Sequence, residues 1–124
     1  RLQALTTELD AEIRFDYRAD DEGRLPVAVA AAAAEAMSEA IRNSLRHAGT
    51  RGHVARQVSV EVSDGALRIV VLDDGCGFDP GAVAATRLGI RKSIVHRMTV
   101  VGGGAQVVSQ PGRGTTVGIE WPSW

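Results

Sequence analysis

Val58-Ser59-Val60-Glu61-Val62-Ser63-Asp64-Gly65-Ala66-Leu67-Arg68-Ile69-Val70-Val71 is the stretch that decides the fold. Val58, Val60 and Val62 alternate with polar residues, Asp64-Gly65 turns the chain, and Leu67, Ile69 and Val71 resume the alternation. Period-two runs on both sides of an Asp-Gly pair predict a β-hairpin with one face buried. Before it, Val27 to about Ala48 is rich in strong helix formers, with Pro26 suited to a helix start and Gly49 supplying a stop. Met37, Ile41, Ser44, Leu45 and Ala48 share one face of that helix; Glu35, Glu39, Asn43 and Arg46 or His47 share another. Earlier still, Ile13, Phe15 and Tyr17 alternate with Arg14, Asp16 and Arg18, which predicts a half-buried strand. Leu2, Leu5 and Leu9 have helical spacing, so residues 1–10 read as the tail of a preceding helix or a linker, and 11–124 as the domain.

After the hairpin, Asp73-Asp74-Gly75-Cys76-Gly77-Phe78-Asp79-Pro80 cannot be regular structure. Leu88 to Val101 reads as a second helix stopped by Gly102-Gly103-Gly104. Ala105–Ser109 and Thr115–Trp121 read as strands joined by the turn Pro111-Gly112-Arg113-Gly114. The order strand, helix, hairpin, glycine loop, helix, hairpin implies an α/β fold. It is a two-layer sandwich in which a mixed, mostly antiparallel sheet is covered on one face by helices.

The 124 residues suit one domain with a single core. Aromatics make up only 4%, so Ala, Val, Leu and Ile must fill that core. Fourteen Lys and Arg against fifteen Asp and Glu give a net charge of −1, which offers no argument for nucleic acid or an anionic membrane as partner. The single cysteine, Cys76, excludes an intrachain disulfide framework and fits a reducing compartment. No apolar run reaches the roughly 20 residues of a membrane helix. The chain opens without Met, which leads us to expect a piece of something longer.

Four clusters carry candidate chemistry. Glu39 and Asn43, four apart on the long helix, are neighbours on one face. A carboxylate there can polarise or deprotonate a nucleophile, and an amide oxygen is a hard ligand suited to Mg²⁺. Arg46 and His47, one turn on, are within reach of phosphate oxygens. Asp73-x-Gly75-x-Gly77 follows a buried strand: the glycines let a flat ligand approach the backbone, and an acceptor-only carboxylate suits an exocyclic amine. Arg87-Leu88-Gly89-Ile90-Arg91-Lys92-Ser93 places a glycine at a helix start, where free N–H groups attract phosphate. Gly112-Arg113-Gly114-Thr115 is the fourth. Read singly, each has a plainer account: a solvated helix face, a glycine turn with Asp73 or Asp74 bonding local amides, an ordinary cap, and a hairpin turn.

Taken together, in this order and on these elements, the four resemble the ATP-binding catalytic domain of sensor histidine kinases, within the gyrase/Hsp90/histidine kinase/MutL ATPase superfamily. Glu39-Ala40-Ile41-Arg42-Asn43-Ser44-Leu45-Arg46-His47-Ala48 looks like the N box of the subgroup paired with helix-turn-helix response regulators. Asp73 to Phe78 looks like the first glycine box, and the resemblance runs from about Ile13 to Trp121.

The resemblance implies a Bergerat-type ATP-binding fold with ATP and Mg²⁺ as ligands. It implies that Asn43 coordinates Mg²⁺ on the triphosphate and that Glu39 polarises the attacking group. It places Arg46 and His47 toward the phosphates, Asp73 on adenine N6, and Gly75 and Gly77 around that pocket. Gly89 falls at the phosphate end of the lid, and Thr115 near the adenine. Arg87 stands where relatives carry a further glycine, and the lid from Phe78 to Arg87 is short.

The phosphoacceptor histidine normally lies on a separate dimerisation domain. His47, His53 and His96 lack that context, so the acceptor is expected in another part of the parent protein. A response regulator would act downstream. The implied setting is cytoplasmic, with no nucleic acid or membrane contact by this domain and a monomer when isolated. Two other readings stay open: an anti-sigma-factor-type serine kinase of the same superfamily, and a non-catalytic nucleotide-binding module.

Overall fold

In the computed structural model, residues 13–20, 24–47, 54–77 and 85–123 are described, apart from the side chains of 47 and 85–90. The expected hairpin is formed by β2 (Arg56–Ser63) and β3 (Ala66–Asp73), antiparallel with Val60 opposite Ile69. Asp64 and Gly65 have φ of 54° and 77°. Positive φ at both turn residues is the backbone that matches the right-handed strand twist, and Asp-Gly adopts it cheaply.

β1 (Arg14–Ala19) lies parallel to β2, with Phe15 opposite Val58. Parallel neighbours need a crossover, and α1 (Val27–His47) supplies it. Pro26 sits just before that helix, and its carbonyl accepts the N–H of Ala30 at 3.0 Å. β3 continues to β5 (Thr115–Trp121), and β5 to the edge strand β4 (Gly104–Ser109), giving the order β1-β2-β3-β5-β4 with antiparallel pairing after the first pair. α2 (Ala85–Val100) precedes β4.

One sheet face is covered. Val58, Val60, Val62, Leu67, Ile69, Val71, Val117 and Ile119 form a single cluster with Ala33, Ala36, Met37, Ala40 and Ile41 of α1 and Ile94 and Met98 of α2. The three alanines let α1 lie close to the sheet. The core is aliphatic, as the aromatic content requires. The other face, with Arg68, Leu72 and Val108, is open, as the expected two-layer sandwich demands.

α2 ends in a Schellman motif: Gly102 N–H bonds Thr99 O at 3.0 Å and Gly103 N–H bonds Met98 O at 2.7 Å, with Gly102 at φ 84°. Trp121 Nε1 donates to Val101 O at 2.7 Å and so packs this end. Gly103 admits no Cβ, because one would stand 2.5 Å from Glu120 O.

Two local expectations need correction. α2 starts at Ala85, three residues before Leu88, because nothing in Ala85-Thr86-Arg87 breaks a helix. Leu45, placed on the buried face, is 37% exposed. The first residue of β2 already contacts Ser44, so the last turn of α1 runs past the end of the sheet. Ala48, His53 and residues 1–10 lie outside the described residues.

Candidate functional site

The covered face ends, at one edge of the core, in a row of polar residues. Arg56 is opposite Asp73, Asp73 is opposite Thr115, and Thr115 is opposite Ser109. Each continues an apolar alternation by two residues, from Val58, Val71, Val117 and Val107, so all four share the helix side. Asp73 is 5% exposed, and its Oδ1 accepts the N–H of Gly75 at 3.0 Å. The local-turn account of Asp73 is therefore satisfied at one oxygen. Asp74 turns elsewhere: its Oδ1 accepts the N–H of Ala55 at 2.7 Å, and its N–H donates to Ala55 O at 3.2 Å.

Thr115 and Ser109 share a hydrogen bond of 2.9 Å between hydroxyls, and Ser109 also donates to Gly114 O at 2.9 Å. A hydroxyl has one proton, so Thr115 donates to Ser109 and keeps its own lone pairs as acceptors.

The glycines here are required by backbone packing. A Cβ on Gly77 (φ 62°) would collide with Gln110 O, and one on Gly114 (φ 75°) would collide with Asp73 O. Gly112 N–H donates to Cys76 O at 2.7 Å. The loop after Asp73 is thus laid directly on the β4–β5 turn. Two clusters that read as separate in sequence form one wall. Cys76 is exposed, consistent with a bystander.

The second wall is α1. Glu39 and Asn43 are both half-buried, and Arg46 is exposed. The backbone of His47 closes the helix, and its side chain lies outside the described residues. Glu39 Oε1 accepts Ser93 Oγ at 3.3 Å and lies 3.6 Å from Arg97 Nη2. Glu39 Oε2 and Asn43 Oδ1 are buried with no hydrogen-bond partner among the described residues. Leaving such an acceptor unmatched costs about 1–3 kcal/mol each. The two lie one helical turn apart on α1, where a donor or a cation would satisfy both.

An amide oxygen and a carboxylate are hard donors that suit Mg²⁺. Among the described residues no three His, Cys, Asp or Glu side chains converge on a metal position. A cation here would therefore take its remaining ligands from phosphate and water, which is the usual Mg²⁺ arrangement.

The two walls are tied by Arg56, whose Nε donates to Ser44 Oγ at 3.0 Å and whose Nη2 donates to Ser44 O at 3.3 Å. A hollow of about 450 Å³ at this sheet end is lined by Arg14, Gln57, Leu72 and Arg113 as well as Arg56 and Asp73, and by no residue of α1, so it opens toward the uncovered face and is not the space between the two walls. Gly89 lies within α2, in its second turn rather than at its opening, because the helix begins at Ala85. His96 is exposed on α2.

Arg56, Arg97 and Ser109 escaped the sequence reading, and Ser93 closed the Arg87–Ser93 cluster without a role of its own. Ser93 and Glu39 are 54 positions apart, and no local pattern links them. Ser109 had a signal, since a hydroxyl at an inward strand position must find a partner.

Residues 28–124 match the family described as histidine kinase-, DNA gyrase B-, and HSP90-like ATPase. An uncharacterised sensor-like histidine kinase of Chloroflexus aurantiacus is 33% identical over 107 residues, which is 82% of this chain and 17% of that protein. Sensor histidine kinase LiaS of Bacillus subtilis is 33% identical over 88 residues, 69% of this chain and 23% of that protein. The chain thus spans less than a quarter of these curated relatives. Among solved structures, the Erythrobacter litoralis EL346 blue-light activated histidine kinase superposes with a TM-score of 0.72 at 26% identity, over 98% of this chain and 39% of that one. The catalytic domain of histidine kinase ThkA superposes with a TM-score of 0.66, over 96% of this chain and 88% of that one; at 12% identity it speaks to the fold alone.

Proposed function

Because this chain belongs to the histidine kinase-, DNA gyrase B-, and HSP90-like ATPase family, we propose that it is the ATP·Mg²⁺-binding catalytic domain of a sensor histidine kinase. The observation that carries this reading is the buried Oδ1 of Asn43 beside Glu39, unmatched among the described residues, on a helix tied through Ser44 to Arg56, the cross-strand partner of Asp73.

Asp73 takes the exocyclic amine of adenine. Thr115, with acceptor lone pairs to spare, meets the same edge of the base directly or through water. Gly75 and Gly77 shape the pocket floor. Asn43 Oδ1 would hold Mg²⁺ together with phosphate oxygens and water, and the bound ion would supply neutralisation of charge on the triphosphate. Arg46, His47 and the Gly89 segment meet the phosphates.

Glu39 orients the acceptor imidazole and receives its proton. One imidazole nitrogen bonds to the γ-phosphorus as the bond from that phosphorus to the bridging oxygen breaks. ADP leaves with the electron pair, and the imidazole N–H proton passes to Glu39. In such chemistry the protein chiefly positions groups and balances charge.

The acceptor histidine belongs to a dimerisation domain of the parent protein, from which a response regulator would draw the phosphoryl group. The relatives' names support a histidine rather than a serine acceptor. The setting is cytoplasmic. No helix among the described residues is long and apolar enough to cross a membrane.

Calorimetry with a non-hydrolysable ATP analogue, with and without Mg²⁺, tests the reading. Saturable, Mg²⁺-dependent binding is expected. A folded chain that binds no nucleotide overturns it.

A further inference from the structure

We propose that Ser93 and Arg97 are positioning residues for the carboxylate of Glu39: from α2 they hold Oε1, and they leave Oε2 as the oxygen that takes the proton of the phosphoacceptor. The inference deepens the function proposed above and rests on it.

Ser93 and Arg97 are four apart on α2 and so share the face turned to α1. Both engage the same oxygen, Ser93 Oγ at 3.3 Å and Arg97 Nη2 at 3.6 Å. The other oxygen, Oε2, is buried and unmatched among the described residues. A contact that served only to dock two helices would satisfy both oxygens, since an unmatched buried acceptor works against the fold. A hydroxyl hydrogen bond and a guanidinium ion pair on one oxygen also restrain the carboxylate from turning about its last bond, so the other oxygen keeps one direction.

The anchor is fixed. Ile94 and Met98, which follow Ser93 and Arg97 by one residue each, are 1% and 0% exposed. The same half of α2 ends in the Schellman motif and the Trp121 hydrogen bond. Glu39 is thereby aimed by the part of α2 that belongs to the core.

In the transfer, the imidazole nitrogen bonds to the γ-phosphorus, the bond to the β–γ bridging oxygen breaks with its electrons going to ADP, and the imidazole proton passes to Glu39 Oε2. Ser93 and Arg97 touch neither phosphate nor imidazole; they act through Glu39.

The test is autophosphorylation of the full-length parent protein with labelled ATP, for Ser93→Ala, Arg97→Gln, Arg97→Lys, Glu39→Gln and the double variant Arg97→Gln/Glu39→Gln. Thermal melts identify the variants that fold, and Ser93→Ala, the milder change, carries the test if Arg97→Gln does not. We expect Ser93→Ala and Arg97→Gln to lower kcat, Arg97→Gln by at least about tenfold, while KM for ATP stays within about twofold. Arg97→Lys restores most of kcat, and Arg97→Gln adds no further loss once Glu39 is Gln.

An unchanged kcat, a raised KM at constant kcat, or an equal loss in the Glu39→Gln background overturns the inference. Unaltered protein that neither binds ATP nor incorporates phosphate overturns the functional reading and this inference with it. Intact binding and transfer with unaffected variants overturns this inference alone.

Discussion

The guanidinium of Arg56 holds Ser44 twice, through the hydroxyl at 3.0 Å and the carbonyl at 3.3 Å. Ser44 follows Asn43 on α1, and Arg56 is the cross-strand partner of Asp73. One side chain therefore sets the spacing between the proposed metal-side wall and the proposed adenine-side wall. Its fork geometry suits a double contact that lysine cannot reproduce.

Arg56→Met is expected to destabilise the chain by about 1–3 kcal/mol, read as a lower urea midpoint. Nucleotide affinity should fall with it, because the walls lose their tie. Stability and affinity both equal to those of the unaltered chain would show that Ser44 is held by something else.

Gly112 and Gly114 make a paired experiment. Both have positive φ, 76° and 75°, but a Cβ on Gly112 meets open space while one on Gly114 strikes Asp73 O. Gly112→Ala should cost about 1–2 kcal/mol from backbone conformation alone. Gly114→Ala should cost more and should weaken nucleotide binding by displacing Asp73. Equal effects of the two on the melting temperature would contradict the packing described here.

Asn43→Ala should separate stability from function. Its Oδ1 is a buried acceptor unmatched among the described residues, so removing it should leave stability unchanged or slightly raised. Mg²⁺-dependent affinity for an ATP analogue should fall at least about tenfold, the equivalent of about 1.4 kcal/mol. Melting curves and calorimetry on the same sample measure both quantities; retained affinity would remove Asn43 from the site.

Asp73→Asn keeps an oxygen for the N–H of Gly75, so the loop should survive, while the acceptor-only character of the group is lost. Affinity for adenine nucleotides should drop, and discrimination against guanine nucleotides should narrow. Competition binding with ATP and GTP reads this directly.

Trp121→Phe removes the hydrogen bond to Val101 O at the opposite end of β5 from Thr115. A loss of about 1 kcal/mol is expected. Nucleotide affinity should not change, which makes this variant the control for the others.

The strands, the helices and their order were legible because their causes are local. Alternation of Val58 to Val71 around Asp64-Gly65 and the glycine stop after Val101 are written in neighbouring residues. Glu39, Asn43, Asp73, Gly75, Gly77 and Thr115 each had a plainer account read singly and were singled out only by the order of their motifs along the chain, as a family resemblance. Errors arose where a boundary depended on something distant. The fate of Leu45 followed from where the sheet ends, and the place of Gly89 from a helix start that no breaker marks.

Only the tertiary structure decided the strand order β1-β2-β3-β5-β4, the grip of Arg56 on Ser44, the laying of the Gly77 loop on the β4–β5 turn, and the hold of Ser93 and Arg97 on one oxygen of Glu39. Local periodicity tells each segment which of its faces to bury. Which buried faces then meet depends on competition among all of them for one core, and contacts between residues 54 positions apart come into being only when that competition is settled.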